Sequence, residues 1–320
     1  MIEEYTYYNS YQPTCLVYSS SGATHGAINV SEAIGVSCNY FFYELGRLTT
    51  IEKIDEFCEK FGLGEHTGIE LDESIGQVAS PENREKSGGT WYPGDTLQAA
   101  IGQSDNLFTP AQLANYLATI LNKGKRQSLH LLDKIVDYDT GDVVHKNESE
   151  VIMDNPISED TYEAIKEGMR KVVTEGTARA VFSTSKYKSG GKTGTAEVSD
   201  GADNVLYTGF APYDDPEIVV AVVIEHGASS AYPAKIARDV FDAYMDLKEK
   251  RKDPDYKRAD KDKDVLTNEN GDKKSDADSK DESESDNEKN IVNNNESENK
   301  NKNKSQKNQK NQKSQKSQKN

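Results

Sequence analysis

The chain has 320 residues, of which 55 are Asp or Glu and 39 are Lys or Arg, so its formal net charge is −16. This acidic balance argues against nucleic acid as the main partner, and no apolar run approaches the ~20 residues that a membrane-spanning helix needs. The N-terminal residues lack the basic region and apolar core of a signal peptide.

Composition divides the chain into two parts. Residues 1–250 combine apolar runs with Gly and Pro punctuation, which predicts a globular domain. Residues 251–320 contain four aliphatic side chains larger than alanine, namely Val265, Leu266, Ile291 and Val292. So few apolar groups cannot offset the entropy of ordering, and we predict a disordered, low-complexity charged tail.

Charge is segregated within this tail. Residues 253–298 are mixed but acid-rich, whereas residues 300–319 carry lysines and no acids. Two interpretations remain open: a tether to an anionic polymer or surface, or a solvated end with no partner.

The first half of the globular part is predicted to be mainly helical. Residues 1–24 show no stable period and are expected to form loop with a short strand. A helix is predicted over 31–46, capped by Ser31 and stopped by Gly46, with residues 37–39 at its middle or at a break. A second helix is predicted over 50–61 with Thr50 as its cap, and 62–94 is expected to be loop-rich.

The second half predicts further helices and then strands. Thr109 and Gln112 suit a capping box for a helix that runs to about residue 121. A hairpin over 135–144, a helix over 158–174, strands over 207–212 and 217–225, and a closing helix over 234–250 follow. The strand over 217–225 is apolar on both faces, so it is expected in the middle of a sheet. The order indicates an α+β fold with helices packed on an antiparallel sheet.

One glycine-rich stretch carries candidate chemistry. Gly190-Gly191-Lys192-Thr193-Gly194-Thr195 places a cation and two hydroxyls among glycines, which let backbone approach a ligand closely. Lys192 and Thr193 could grip a carboxylate, and neighbouring N–H groups could hold an oxyanion. On its own, the stretch is also compatible with a glycine-rich strand entry that bears a surface lysine.

The cysteines give no comparable signal. Cys15, Cys38 and Cys58 form an odd set without C-x-x-C spacing, which predicts neither a metal site nor a clear disulfide framework. We therefore expect no metal and no cofactor.

Ser37-Cys38-Asn39 followed by Lys192-Thr193-Gly194 resembles the second and third signatures of penicillin-recognising serine acyltransferases. The wider text resembles class B penicillin-binding proteins, and elongation-type D,D-transpeptidases most of all, over about residues 15–247. The segments that carry the wider resemblance include His25-Gly26, Phe61-Gly62-Leu63-Gly64, Ile101-Gly102-Gln103, Thr109-Pro110-Ala111-Gln112, Glu175-Gly176-Thr177-Ala178 and Gly209-Phe210-Ala211-Pro212. Ser104 departs from the pattern, because many relatives have glycine there.

This resemblance implies a penicillin-binding-protein/β-lactamase-like fold and acyl transfer from D-Ala-D-Ala stem peptides through a serine ester. By position, Ser37 relays a proton towards the leaving amine, and Asn39 holds the substrate peptide and the base lysine. Lys192 supplies positive potential. Thr193 binds the terminal carboxylate, Gly194 belongs to the same binding strand, and the Thr195 N–H is one oxyanion donor. Thr177 and Gly176 are expected to shape the pocket wall. The implied partners are peptidoglycan stem peptides, β-lactams and the cell-wall elongation machinery.

The first signature of the family, Ser-x-x-Lys, supplies nucleophile and base, and it is absent from the 36 residues that precede Ser37. Matches later in the chain, such as 183–186, 185–188 and 297–300, are interpreted as chance. The expectation is therefore a transpeptidase portion without its N-terminal strands and nucleophile helix, inactive alone, from a family that is membrane-anchored with this domain outside the cytoplasmic membrane. The alternatives are a non-enzymatic fragment that binds a complementary N-terminal piece, and a β-lactamase or β-lactam sensor of the same superfamily.

Overall fold

The computed structural model describes residues 4–253. Its helices are α1 (Leu16–Ser21), α2 (Val30–Val36), α3 (Asn39–Thr49), α4 (Ile51–Lys60), α5 (Pro81–Lys86), α6 (Pro93–Ala100), α7 (Pro110–Leu121), α8 (Glu159–Thr174), α9 (Arg179–Phe182) and α10 (Ala231–Lys250). Its strands are β1 (Lys125–Gln127), β2 (Lys134–Val136), β3 (Val143–Lys146), β4 (Val151–Asp154), β5 (Gly190–Ala196), β6 (Asn204–Ala211) and β7 (Ile218–Ile224). Beyond residue 253, the predicted tail lies outside the described residues.

The main sheet is antiparallel with the order β5-β6-β7, and it follows the helical first half as predicted. Small two-stranded sheets pair β1 with β4 and β2 with β3, the second of which is the predicted hairpin. The α+β expectation is confirmed, because helices pack on an antiparallel sheet.

Side chains of β6 alternate between two cores. Tyr207 is fully buried with Phe182 and Phe241, which come from α9 and α10 on one face of the sheet. Phe210 points to the other face and packs with Leu117 of α7 and Met169 of α8. This alternation follows from the two-residue period of a strand, so the sheet is covered on both faces. Within residues 4–253, β5 lies at one edge of that sheet.

The position of β7 differs from its prediction. Its apolar sequence predicted the middle of a sheet, but among residues 4–253 the strand pairs with β6 alone. Six of its seven residues are half-buried, and Val223 is 38% exposed. A continuous apolar run reports burial on both faces, and it cannot report whether a partner strand lies within the same stretch of chain.

The predicted helix over 31–46 is two helices. α2 ends at Val36, and α3 begins at Asn39, so the break falls at the predicted position. Asn29 rather than Ser31 caps α2, in a capping box with Glu32. Gly46 does not stop α3, because it lies inside the helix where a Cβ would come within 2.4 Å of the Ala100 Cβ in α6. The glycine allows close packing of two helices.

Residues 62–94 are less irregular than expected. They contain α5, capped by the Ser80 side chain, and the first residues of α6. The predicted capping box of Thr109 and Gln112 is present in α7, and Ser158 caps α8. Over residues 4–253, none of the helices combines the length and the apolar character that crossing a bilayer would demand.

Candidate functional site

The break between α2 and α3 presents Ser37 to the main sheet. Ser37 has φ 55° and ψ 52°, a left-handed conformation that turns the chain after α2. Its N–H still bonds to the Ile34 carbonyl, and the Cys38 N–H bonds to the Ala33 carbonyl, so the turn is well defined. Ser37 thus lies at the C-terminal end of α2.

Helix α2 is held against α8 by small residues. The Ser31 hydroxyl donates to the Ala164 carbonyl at 2.8 Å. A Cβ at Gly168 would meet Ile34 at 2.8 Å, and a Cβ at Gly35 would meet Lys171 at the same distance. Because α8 also packs on β5, the contact between α2 and α8 fixes Ser37 relative to β5, which carries the Lys192-Thr193-Gly194 motif.

Lys192 joins the two predicted motifs. Its ammonium donates to Ser37 Oγ at 2.9 Å and to the carbonyl of Thr193 at 2.8 Å. Burial lowers the pKa of Lys192 to about 8, because desolvation penalises the charged form. The lysine therefore remains largely protonated at neutral pH and presents a poorly solvated cation at the site.

Glycines in β5, the strand that carries this cation, leave room for side chains of β6. A Cβ at Gly191 would lie 2.0 Å from the Tyr207 hydroxyl oxygen, and one at Gly194 would lie 2.7 Å from Leu206. Both positions therefore need glycine for side chains of β6 to pack against β5. Thr195 is exposed beside them, and the edge of β5 opposite β6 pairs with no strand among residues 4–253.

The other predicted residues fall around the same place. Thr193 is 9% exposed, and its hydroxyl oxygen lies 2.7 Å from that of Thr177. Asn39 is the first residue of α3 and is half-buried. Its side chain lies by Tyr43, whose pKa burial raises to about 12 and the Asn39 amide partly lowers. The structure brings Ser37, Lys192, Thr193 and Thr177 into direct contact, and it places Asn39 nearby with Tyr43 as its neighbour.

Gln103 is a contact that the motif pattern did not assign. Its side-chain amide donates to the Thr195 carbonyl at 2.9 Å and accepts from the Glu197 N–H at 3.3 Å. The following residue, Ser104, has φ 66°, the conformation that glycine adopts more readily. The departure noted at Ser104 is thus accommodated by a left-handed serine. The Ile101-Gly102-Gln103 segment marked this loop in the sequence, but no role was assigned to Gln103.

A second cluster was also missed. One ligand atom each from Cys15, His25 and Cys38 lies within 4.8 Å of the others, with Cys15 Sγ 3.7 Å from His25 Nδ1. The Cys38 thiol lowers the pKa of Cys15 by hydrogen bonding, against the effect of burial. Two thiols and an imidazole form a donor set that suits Zn²⁺. Residue spacing carried no signal, because folding brings the three together; the expectation of no metal stays a prediction.

Comparison with known proteins gives a consistent result. The family model described as "Penicillin binding protein transpeptidase domain" matches residues 2–246. Peptidoglycan D,D-transpeptidase MrdA of Acinetobacter baumannii is 31% identical over 238 residues, which cover 69% of this chain and 35% of that protein. The chain therefore spans about a third of that curated relative.

Two solved structures of penicillin-binding proteins are also similar to this chain. Pseudomonas aeruginosa PBP2 in complex with WCK 5153 is 30% identical with a TM-score of 0.62, and the match covers 75% of this chain and 51% of that one. The complex of PBP2 and MreC from Helicobacter pylori is 27% identical with a TM-score of 0.62, over 74% of this chain and 43% of that one.

Proposed function

Because the chain belongs to the penicillin-binding protein transpeptidase domain family, we propose that it supplies the second and third signatures of a peptidoglycan D,D-transpeptidase. The observation that carries the proposal is the bond from Lys192 Nζ to Ser37 Oγ, which joins residues 155 positions apart. The reaction would transfer the acyl group of a D-Ala-D-Ala stem peptide through a serine ester, which cross-links the cell wall.

The proton arrangement supports the role of Ser37. Because Lys192 donates to Ser37 Oγ, the hydroxyl proton of Ser37 is available for another acceptor. A leaving amine is such an acceptor, so Ser37 is suited to relay a proton to it. The adjacent cation also stabilises any negative charge that develops on the serine oxygen.

The edge of β5 supports the binding roles. We propose that the Thr193 hydroxyl binds the terminal carboxylate of the peptide and that the Thr195 N–H binds an oxyanion. Gly194, which lies between them, lets the side chain of Leu206 pack against β5. Asn39 is assigned to the peptide backbone and to the base lysine. These residues lie on α3 and β5; α8 packs on β5 and on α2, the helix that precedes α3.

The nucleophile and its base are proposed to come from a segment with the Ser-x-x-Lys signature that is not among these 320 residues. The chain carries no such signature ahead of Ser37. We further propose β-lactams as inhibitors, the elongation machinery as partner, and a location outside the cytoplasmic membrane. In support of the partner, one similar protein was solved as a complex of PBP2 and MreC.

The test uses residues 1–320 joined to a preceding Ser-x-x-Lys segment from a penicillin-binding relative; this fusion is called the reconstituted chain. We expect release of D-alanine from a stem peptide that ends in D-Ala-D-Ala. Replacing Ser37 or Lys192 by alanine is expected to lower the rate by 10²-fold or more, in line with loss of proton transfer or electrostatic stabilisation. Lys188→Ala, which changes an exposed lysine, is the matched control. Equal rates in all variants would contradict the proposal.

A second candidate function rests on the edge of β7 that pairs with no strand among residues 4–253. Beside this strand, α10 presents apolar side chains that are 36–60% exposed: Tyr232, Ile236, Val240, Tyr244 and Leu247. An unpaired apolar edge next to such a stripe suits a complementary N-terminal piece that adds a strand. Under this candidate, a separately made piece binds residues 1–320 and no covalent link is needed. Failure of the two pieces to co-purify after co-expression would argue against it.

A further inference from the structure

We propose that Thr177 is a positioning residue that donates its hydroxyl proton to Thr193, so that Thr193 can donate its own proton to the carboxylate of the bound peptide. The inference rests on the proposed function, because it concerns the same peptide site. It extends that function by assigning an active task to a residue that the sequence placed only in the pocket wall.

The starting observation is a contact between two hydroxyls. Thr177 Oγ1 lies 2.7 Å from Thr193 Oγ1, and either atom could be the donor. Thr177 belongs to the turn between α8 and α9, whereas Thr193 lies on β5. The bond therefore joins the end of α8 to the strand that presents Lys192.

The backbone on both sides of Thr177 is fixed. A Cβ at Gly176 would lie 2.0 Å from the Gly35 carbonyl oxygen, so this turn packs directly on α2. On the other side, Ala178 is 1% exposed, and its N–H bonds to the Val172 carbonyl at 3.0 Å. Thr177 is an exposed side chain on an immobilised turn, which suits it to hold a hydroxyl in one place.

Counting protons assigns the direction of the bond. A threonine hydroxyl has one proton to donate and two lone pairs that accept. Lys192 Nζ donates to the Thr193 carbonyl and to Ser37 Oγ, so these bonds leave the orientation of the Thr193 hydroxyl unassigned. If Thr193 donated to Thr177, it would have no proton left for a ligand.

An anionic ligand selects the opposite orientation. When Thr177 donates, the Thr193 oxygen accepts, and the Thr193 proton remains available for a ligand. Hydrogen bonds to a charged acceptor are roughly twice as strong as neutral ones, so a carboxylate favours this arrangement. A ligand with a terminal carboxamide gains less, because it is neutral. Thr177 therefore contributes to selectivity for a free C-terminal carboxylate.

The experiment measures this selectivity in the full 320-residue chain. The probes are Nα-acetyl-L-lysyl-D-alanyl-D-alanine and its C-terminal carboxamide, and their dissociation constants are obtained by NMR from the Thr193 and Thr195 amide signals. Thr177→Val removes the hydroxyl with little change in shape, and Thr177→Ser retains it. Thr174→Val makes the same change on α8, where the hydroxyl bonds to its own helix.

We expect the native chain to prefer the carboxylate probe. Thr177→Val should lower the ratio of the two affinities by roughly five- to tenfold, because the hydrogen bond that orients the neutral Thr193 hydroxyl is lost. Thr177→Ser and Thr174→Val should keep it within about twofold of native, since both leave the Thr177 hydroxyl function in place.

Three results would overturn the inference. The first is a native ratio in Thr177→Val, the second is an equal loss in Thr177→Val and Thr177→Ser, and the third is a native chain that does not distinguish the probes. The proposed function is judged separately, by D-alanine release from the reconstituted chain. Activity there together with an unchanged probe ratio in Thr177→Val would reject the role of Thr177 alone.

Discussion

At the scale of single residues, the most informative group is Lys192. Its pKa is lowered from 10.5 to about 8 by burial, and no paired carboxylate is among the causes. A group whose pKa is lower in the folded than in the unfolded chain opposes folding while it is charged. Stability therefore rises as pH increases through about 8 towards the unfolded value. Functional sites often retain such groups at the expense of stability.

This cost predicts that Lys192→Met stabilises the fold. At pH 7 we expect the free energy of unfolding to rise by about 1–3 kcal/mol, since one pKa unit corresponds to ~1.4 kcal/mol. At pH 9.5 the gain should shrink to less than half, because Lys192 is then mostly neutral in the folded chain. Urea unfolding at both pH values measures this. Lys188→Met, at an exposed lysine that pairs with Asp214, should change little at either pH. A Lys192→Met variant less stable than native at pH 7 would contradict the assignment.

The sequence predicted part of this arrangement at the residue scale. Resemblance assigned Ser37 and Lys192 to the same site, and the structure places Lys192 Nζ 2.9 Å from Ser37 Oγ. The resemblance assigned Thr177 only to the pocket wall, because a hydrogen bond between two hydroxyls has no periodicity and no characteristic spacing in sequence. Cys15, His25 and Cys38 were missed for the same reason: a cluster that folding assembles leaves no local pattern.

At the scale of elements, the loop after α6 stabilises the end of β5 through the hydrogen bonds of Gln103. Asn106 fixes the loop, since its amide donates to the Ala99 and Gln103 carbonyls and accepts from the Ala79 N–H. Arg84 pairs with Asp105 and donates to Ser104 Oγ at 3.1 Å. These bonds hold Gln103 in place to cap the edge of β5.

We predict that Gln103→Ala loosens the end of β5. Loss of the bond to the Glu197 N–H should speed hydrogen exchange of that amide about fivefold, because a typical hydrogen bond contributes ~1 kcal/mol. Hydrogen exchange followed by NMR gives the rate directly. Gln98→Ala removes the same side chain from α6, where the partner is Tyr11, and serves as control. Unchanged exchange at Glu197 in Gln103→Ala would show that the amide does not brace the strand.

The turn after α8 predicts a second effect at this scale. Gly176→Ala should lower the free energy of unfolding by roughly 1–3 kcal/mol, since the added methyl collides with the backbone of Gly35. Because Ser37 follows Gly35 by two residues, the displacement should also reach Ser37 and shift its amide signal. Gly22→Ala is the comparison, because Gly22 has φ 70° with open space around it, so only backbone strain is added. A Gly176→Ala chain with native stability and unmoved Ser37 would refute the coupling of α2 to this turn.

Element boundaries were predictable where a local signal existed. The capping box at Thr109 and the amphipathic pattern of α8 needed no tertiary information. The predicted helix end at Gly46 was wrong, because a glycine inside a helix resembles a stop signal in sequence. Its role is to allow close contact between α3 and α6. The α5 helix was missed because a six-residue helix offers too few positions for periodicity.

At the scale of the whole molecule, the site is assembled from distant parts of the chain. Ser37 lies at the end of a helix near the start of the described residues, and Lys192 lies on the edge strand of a sheet near their end. Packing of α8 against both α2 and β5 makes this juxtaposition. The sequence predicted the layers of the fold, whereas the apolar pattern of β7 indicated burial and not strand order, since strand order depends on pairing rather than composition.

The central claim is that these elements serve acyl transfer with a serine supplied by a Ser-x-x-Lys segment. Intact-mass spectrometry of the reconstituted chain after mixing with benzylpenicillin, followed over time, tests it most directly. We predict a one-to-one adduct that forms on the serine of that segment, persists for many minutes, and is absent when residues 1–320 are used alone. An adduct on residues 1–320 alone, no adduct on the folded reconstituted chain, or rapid loss of the adduct with hydrolysed penicillin would contradict the claim.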